Sequence, residues 1–173
     1  MEDGSERRKV AWSDLAYAGA FDSSQAQPAG GTGDTLPDGL QIVFIDGSIA
    51  GAAALAAGVR PGLVAVILDP GQDGVQQIAD YLASHDIEGA ANISIVAHGA
   101  DGVVEIGSTT LSTATIDQHL PQLAEIGAAL RPGGDIQLYG CDVAQDASGQ
   151  AFLQQLSQAT GGAANHHLVL QFA

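Results

Sequence analysis

The sequence predicts an α/β fold: a mostly parallel sheet with helices on both faces, forming a three-layer αβα sandwich. Two observations carry that expectation. Near-continuous apolar runs at Gln41 to Ile45, Leu63 to Leu68, Asn92 to Ala97 and Asp135 to Tyr139 read as strands buried on both sides. Segments of helical periodicity separate them, so each strand is followed by a helix that lets the next strand run the same way.

Taken in order, residues 1–39 are expected to form a flexible acidic leader or linker. Ser23 to Asp38 is rich in Gly, Ser, Gln, Pro and Asp and has little to bury, although Ala11 to Phe21 has the composition of a short helix. Residues 40–173 form one domain. Its first strand ends at Asp46-Gly47-Ser48, and Ile49 to Ala57 is a small-residue helix closed by Gly58. After the second strand, Asp69 to Gly74 is a turn in which Asp73 is suited to cap the next helix, whose Val75, Ile78, Ala79 and Leu82 share one face. Gly102 to Gly107 and the following Ser/Thr run read as a small hairpin. Ile116, Leu120, Leu123, Ile126 and Leu130 mark an amphipathic helix that Pro121 kinks or restarts and Arg131-Pro132-Gly133-Gly134 ends. Asp146 or Ser148 caps a helix carrying Phe152, Leu153 and Leu156, Gly161-Gly162 stops it, and Leu168 to Phe172 is a last short strand.

Composition narrows the function classes. Hydrophobic residues make up 46% of the 173 but aromatics only 5%, so aliphatic side chains must do the packing. Twenty acidic residues face five basic ones, three of them clustered at Arg7, Arg8 and Lys9. A net charge of -15 repels phosphate backbones and anionic lipid, which argues against a nucleic-acid partner. No apolar run approaches the ~18 residues of a membrane span. The basic cluster is not followed by an apolar h-region, so no signal peptide is visible; an exported form would carry its signal elsewhere or be a piece of a larger chain. Cys141 is the single cysteine and has no internal disulfide partner. No Walker loop, dinucleotide fingerprint, nucleophile-elbow serine or zinc-spaced cysteine set is present, so neither cofactor nor metal is expected. Asp69, Asp73 and Asp80 fall near EF-hand spacing. Gly71 occupies the third ligand position and an Asp the last, so a capped strand–helix turn accounts for them better. His166-His167 point apart on a strand, and His85 and His119 read as helix-surface residues.

The candidate site lies at two strand ends. Ile93 to Val96 leads through Ala97 to His98-Gly99, and Ile136 to Tyr139 leads to Gly140-Cys141. Ligands and chemistry in parallel sheets sit beyond the C-terminal strand ends, an edge that Asp46, Asp69, His98 and Cys141 share. A thiol attacks as thiolate, and an imidazole beside it takes its proton or stabilises its charge. The amides of Gly99 and Cys141 are candidate oxyanion donors. Two plainer readings stand beside this one: a buried inert thiol, and a histidine satisfied by a strand-end carbonyl. Asp46 is a candidate for orienting His98 or binding a basic substrate side chain, against a simple strand-end Asx turn. Asp142 and Asp101 flank the site and would line it with acid, favouring Arg or Lys substrates, unless they are only solvated loop residues.

Four segments carry a resemblance: Ile42 to Asp46, Ile67 to Gly74, Ile95 to Gly99 and Leu138 to Ala144. They closely resemble the DUF4347 domain over roughly Leu40 to Gly162. That domain of unknown function occurs in very large bacterial surface or secreted proteins, often beside cadherin-like or calcium-binding repeats. It in turn looks like a distant relative of the caspase-like (clan CD) cysteine peptidases, which include caspases, gingipains and legumains. These place an apolar strand before His-Gly and another before the catalytic cysteine. The resemblance implies a caspase-like sandwich with His98 as catalytic histidine and Cys141 as nucleophile. It further implies a protein or peptide substrate, the parent chain included, and an extracellular or cell-surface location. Tyr139 stands where several of these peptidases have an acidic or amide residue, so their specificity does not transfer. The chain ends soon after the Phe152 helix, which leaves a minimal version of the fold or one truncated at its C-terminus; the run Asn165-His166-His167-Leu168 fits truncation. The rival expectation is a non-catalytic structural or adhesion module of a large calcium-rich surface protein.

Overall fold

The computed structural model describes residues 39–140, 143 and 146–161, and the backbone of 166–171. The expected leader therefore lies almost wholly outside the described residues, as do Cys141 and Asp142. Five parallel strands form the main sheet: β1 (Gln41–Asp46), β2 (Val64–Leu68), β3 (Ala90–Val96), β7 (Leu130–Tyr139) and β8 (His166–Gln171), in the order β2-β1-β3-β7-β8. Between β3 and β7, strands β4 (His98–Ala100), β5 (Val103–Ile106) and β6 (Thr109–Ser112) make a separate three-stranded antiparallel sheet. The helices are α1 (Ala52–Ala57), α2 (Gly74–Ser84), α3 (Leu120–Ala128) and α4 (Ala147–Ala159).

Most boundaries follow the sequence signals. Asp73 caps α2 by accepting from the Gln76 amide at 3.0 Å, and Asp146, rather than Ser148, caps α4 by accepting from the amides of Ser148 and Gly149. Pro121 restarts rather than kinks its helix. A short 3-10 turn at Ile116–His119 precedes it, and the proline then sits in the first turn of α3, where its missing N–H costs nothing. Other boundaries differ: β3 begins two residues earlier, at Ala90, β8 runs from His166 to Gln171, and two more have a visible cause. Helix α1 begins at Ala52 instead of Ile49 because Gly51, at φ 84°, holds the preceding turn in the left-handed region. Strand β7 begins at Leu130 instead of Asp135. Its register against β3 shifts between the Ala90 and Asn92 pairs, a bulge that accommodates the glycine pair. A Cβ on Gly134 would lie 3.0 Å from the Ala90 and Arg131 carbonyl oxygens, a tight fit that glycine avoids.

The alternation of side chains sorts the core onto two faces. Ile42, Phe44, Val66, Ile93, Ile95, Ile136 and Leu138 meet Val75 and Ile78 of α2, Leu123 and Ile126 of α3, and Phe152 and Leu156 of α4. Val43 and Ile45 turn the other way and pack with Ala52 and Ala56 of α1. The described helices thus cover the faces unequally. Beyond α1, on that second face, Ser94 donates to Asn92 at 2.7 Å and Tyr139 to Gln137 at 2.9 Å. A cavity of about 20 Å³ remains within the larger core, between Ile95, Leu138, Val75, Leu123 and Phe152. Its lining is almost entirely aliphatic and aromatic, and it is a packing defect away from the strand ends rather than a place for chemistry.

Candidate functional site

The chain runs from β1 outward to β2, then returns past β1 to β3 and continues through β7 and β8. The order reverses between β1 and β3, and at such a switch point the loops leaving the two strand ends diverge and open a crevice. The C-terminal end of β1 is Asp46, and that of β3 leads into Ala97-His98-Gly99.

His98 is not the last residue of the buried strand. The parallel ladder closes with the Ala97 amide donating to the Tyr139 carbonyl at 3.0 Å, and the chain then turns out of the sheet. His98 opens β4, exposed, in a ribbon where it lies directly opposite Glu105 of β5, which in turn lies opposite Thr110 of β6. These three stand on the solvent side, while Val104, Ile106 and Leu111 are buried beneath. The expected hairpin is therefore β5–β6, and His98 belongs to it through one strand more. Asp101-Gly102 makes the two-residue turn between β4 and β5, with Gly102 at φ 68°. Asp-Gly between two strands is a strong hairpin signal. Read as such, it would have set the register from sequence and identified Glu105 as the neighbour of His98.

Strand β7 pairs directly with β3, from Asn92↔Asp135 to Val96↔Tyr139, so the two motif strands are immediate neighbours. Gly140, next after β7, is buried, and a Cβ placed on it would sit 3.4 Å from the Ala97 oxygen and 3.7 Å from the Gly99 Cα. A side chain at 140 would thus meet the Ala97–Gly99 backbone at ordinary packing distance, so the ends of the two motifs lie side by side. Cys141 follows Gly140 by one peptide link, about 3.8 Å between Cα atoms.

Asp46 is only 1% exposed. One carboxylate oxygen accepts from the Ser48 amide and the other from the Gly107 amide, each at 2.7 Å. The first is the Asx turn expected of a strand end. The second spans 61 positions of sequence and had no local signal. Asp101, in the ribbon turn, and Asp146, at the α4 cap, lie side by side at the surface. A side-chain hydrogen bond with Asp146 raises the Asp101 pKa. The same bond, with those from Ser148, lowers Asp146 to about 2. The pair thus favours one proton, held on Asp101, with Asp146 ionised.

The remaining candidates serve local structure. Asp69 accepts from the Gly71 amide and the Gln72 side chain, which hold its pKa down, and Asp80 accepts from Gln76. Asp73 feels a desolvation that raises its pKa, yet the Gln76 amide, Thr109 and His119 outweigh it and the net shift is downward. His119 lies 3.6 Å from Asp73 with its side chain 15% exposed, and His85 stacks on Tyr81 at 4.1 Å, so both are more engaged than surface residues. Among the described residues no group of three or more His, Cys, Asp or Glu side chains is placed to hold a metal ion. No helix among them is long and apolar enough to cross a membrane.

A family model described as Domain of unknown function (DUF4347) matches residues 42–167. No curated protein matches the chain.

Proposed function

Since this chain belongs to the DUF4347 family, we propose that it is a caspase-like Cys–His hydrolase domain of a surface or secreted protein, with a three-layer architecture, that cuts a peptide bond in another protein or in its own parent chain. The observation that supports the reading is that Gly140, at the end of β7, lies beside the Ala97–Gly99 backbone leaving the adjacent parallel strand β3. It leaves one peptide link between Gly140 and the cysteine, on the edge where ligands sit in parallel sheets.

In this reading Cys141 attacks the substrate carbonyl as a thiolate, and His98 removes the thiol proton and returns it to the leaving amine. The amides of Gly99 and Cys141 stabilise the oxyanion, and water then releases the acyl group. With Asp46 committed to two backbone amides and Asp146 to the α4 cap, Asp101 and Asp142 are the expected flanking acids left to favour a basic substrate side chain.

The test is thiol reactivity. In the native chain near pH 7, an alkylating probe should label Cys141 at least about tenfold faster than it labels a free thiol of ordinary pKa, and His98→Ala should remove that advantage. Labelling that is slow, or that requires denaturant, overturns the hydrolase reading in favour of a structural or adhesion module.

A further inference from the structure

Asp46 stands at the switch point of the sheet, and its environment is unusual for a carboxylate: almost fully buried, with both oxygens taken by backbone amides. The Gly107 arm links two separate sheets. Gly107 closes the turn between β5 and β6, in the left-handed region at φ 61°, and a Cβ there would run into the Gln72 carbonyl oxygen. Beside it the Ser108 amide donates to that same Gln72 oxygen at 2.8 Å, and Asp73 forms an isolated bridge with Gly107. At the far end of the ribbon, the Gly102 amide donates to the Val143 carbonyl at 3.1 Å. The ribbon therefore spans the C-terminal edge of the parallel sheet between two fixed ends. His98, paired with Glu105, lies towards the end that Asp46 holds.

We infer that Asp46 is a positioning residue for His98. Its carboxylate ties the Gly107 turn to the end of β1, which fixes β5 and, through the β4–β5 ladder, the strand on which the imidazole stands. This role differs from substrate binding, because both acceptor oxygens are already used within the chain. It rests on the proposed Cys141–His98 chemistry only for its catalytic consequence.

Two variants separate the arms. Asp46→Asn keeps the volume but only one acceptor oxygen. Asp46→Ser can still close the turn onto the Ser48 amide but is too short to reach Gly107. In the native chain, hydrogen exchange at Gly107 and along β4 and β5 should quicken roughly tenfold or more in both variants, as loss of a charge-assisted hydrogen bond predicts. The His98 ring proton signals should shift and broaden. Gly127→Ala, which disturbs the distant α3–α4 contact, should leave the ribbon signals in place at matched stability. Should Asn prevent folding, the Ser variant alone decides. Ribbon exchange and His98 signals identical to those of the unaltered chain overturn the inference, as does an equal response to Gly127→Ala. Failure of the hydrolase reading looks different: Cys141 of the unaltered chain reacts like a free thiol while the ribbon still loosens in both Asp46 variants.

Discussion

Gly127 offers the most direct test of how the helical layer is packed. It lies in α3, buried, against the C-terminal end of α4. A Cβ at this position would overlap the Thr160 carbonyl oxygen outright and lie 2.6 Å from the Thr160 carbonyl carbon and 3.0 Å from its Cα. Ordinary carbon–carbon contact is about 3.5 Å or more, so the end of α4 must retreat by roughly 1 Å. The obstructing atoms are backbone and cannot rotate away. Phe152 and Leu156, on the same helix, are 0% and 7% exposed and would be drawn from the core as it moves. Overpacking of this kind costs about 1–3 kcal/mol. Alanine returns up to about 1 kcal/mol through its better helix propensity. The expected net loss for Gly127→Ala is about 1–2 kcal/mol, or roughly 5 °C in Tm for a domain of this size. Urea and thermal unfolding followed by circular dichroism measure it. Gly71→Ala is the matched control. The nearest atom to its Cβ is a side-chain oxygen of exposed Asp69 at 3.3 Å, so its stability should change by less than about 0.5 kcal/mol. If Gly127→Ala proves as stable as the unaltered chain, the close α3–α4 approach is wrong.

Two further outcomes concern the candidate site. Gly140→Ala should fold with little penalty, since its closest contact is a Val143 methyl at 3.1 Å. Gly140→Val should push the end of β7 away from Ala97 and Gly99 and slow Cys141 labelling several-fold while helix content persists; equal labelling in both variants would break the link between backbone spacing and reactivity. The Asp101–Asp146 pair predicts a specific pH response. Asp146, lowered to about 2, contributes stability that is present above the ordinary aspartate range and lost as pH falls towards 2. Asp101, raised, contributes stability that is present in acid and lost as pH rises through its elevated pKa. At low salt, Asp101→Asn should flatten the stability profile above pH 4 as read from urea midpoints, because the amide donates to Asp146 at every pH. An unchanged slope would show that the pair does not share its proton.

The order of strands and helices was legible because each element carries its own local signal. The apolar run of β1, the Asp73 cap and the Pro121 restart depend on near neighbours and on the periods of the backbone. The parallel sheet followed from those signals, and with it the shared edge to which β3 and β7 both lead. The strand boundaries of β7 were less legible, because a glycine bulge is set by the neighbouring strand and not by the run itself.

What the sequence determined by itself, then, was the alternating α/β plan and the parallel run of its main strands. The tertiary structure decided that β3 and β7 are adjacent, that His98 leaves the parallel sheet for an antiparallel ribbon opposite Glu105, and that Asp46 ties that ribbon down through Gly107. The physical reason is range. Periodicity and capping are fixed within a few residues, whereas a carboxylate spanning 61 positions to a backbone amide finds its partner only once the sheets have packed.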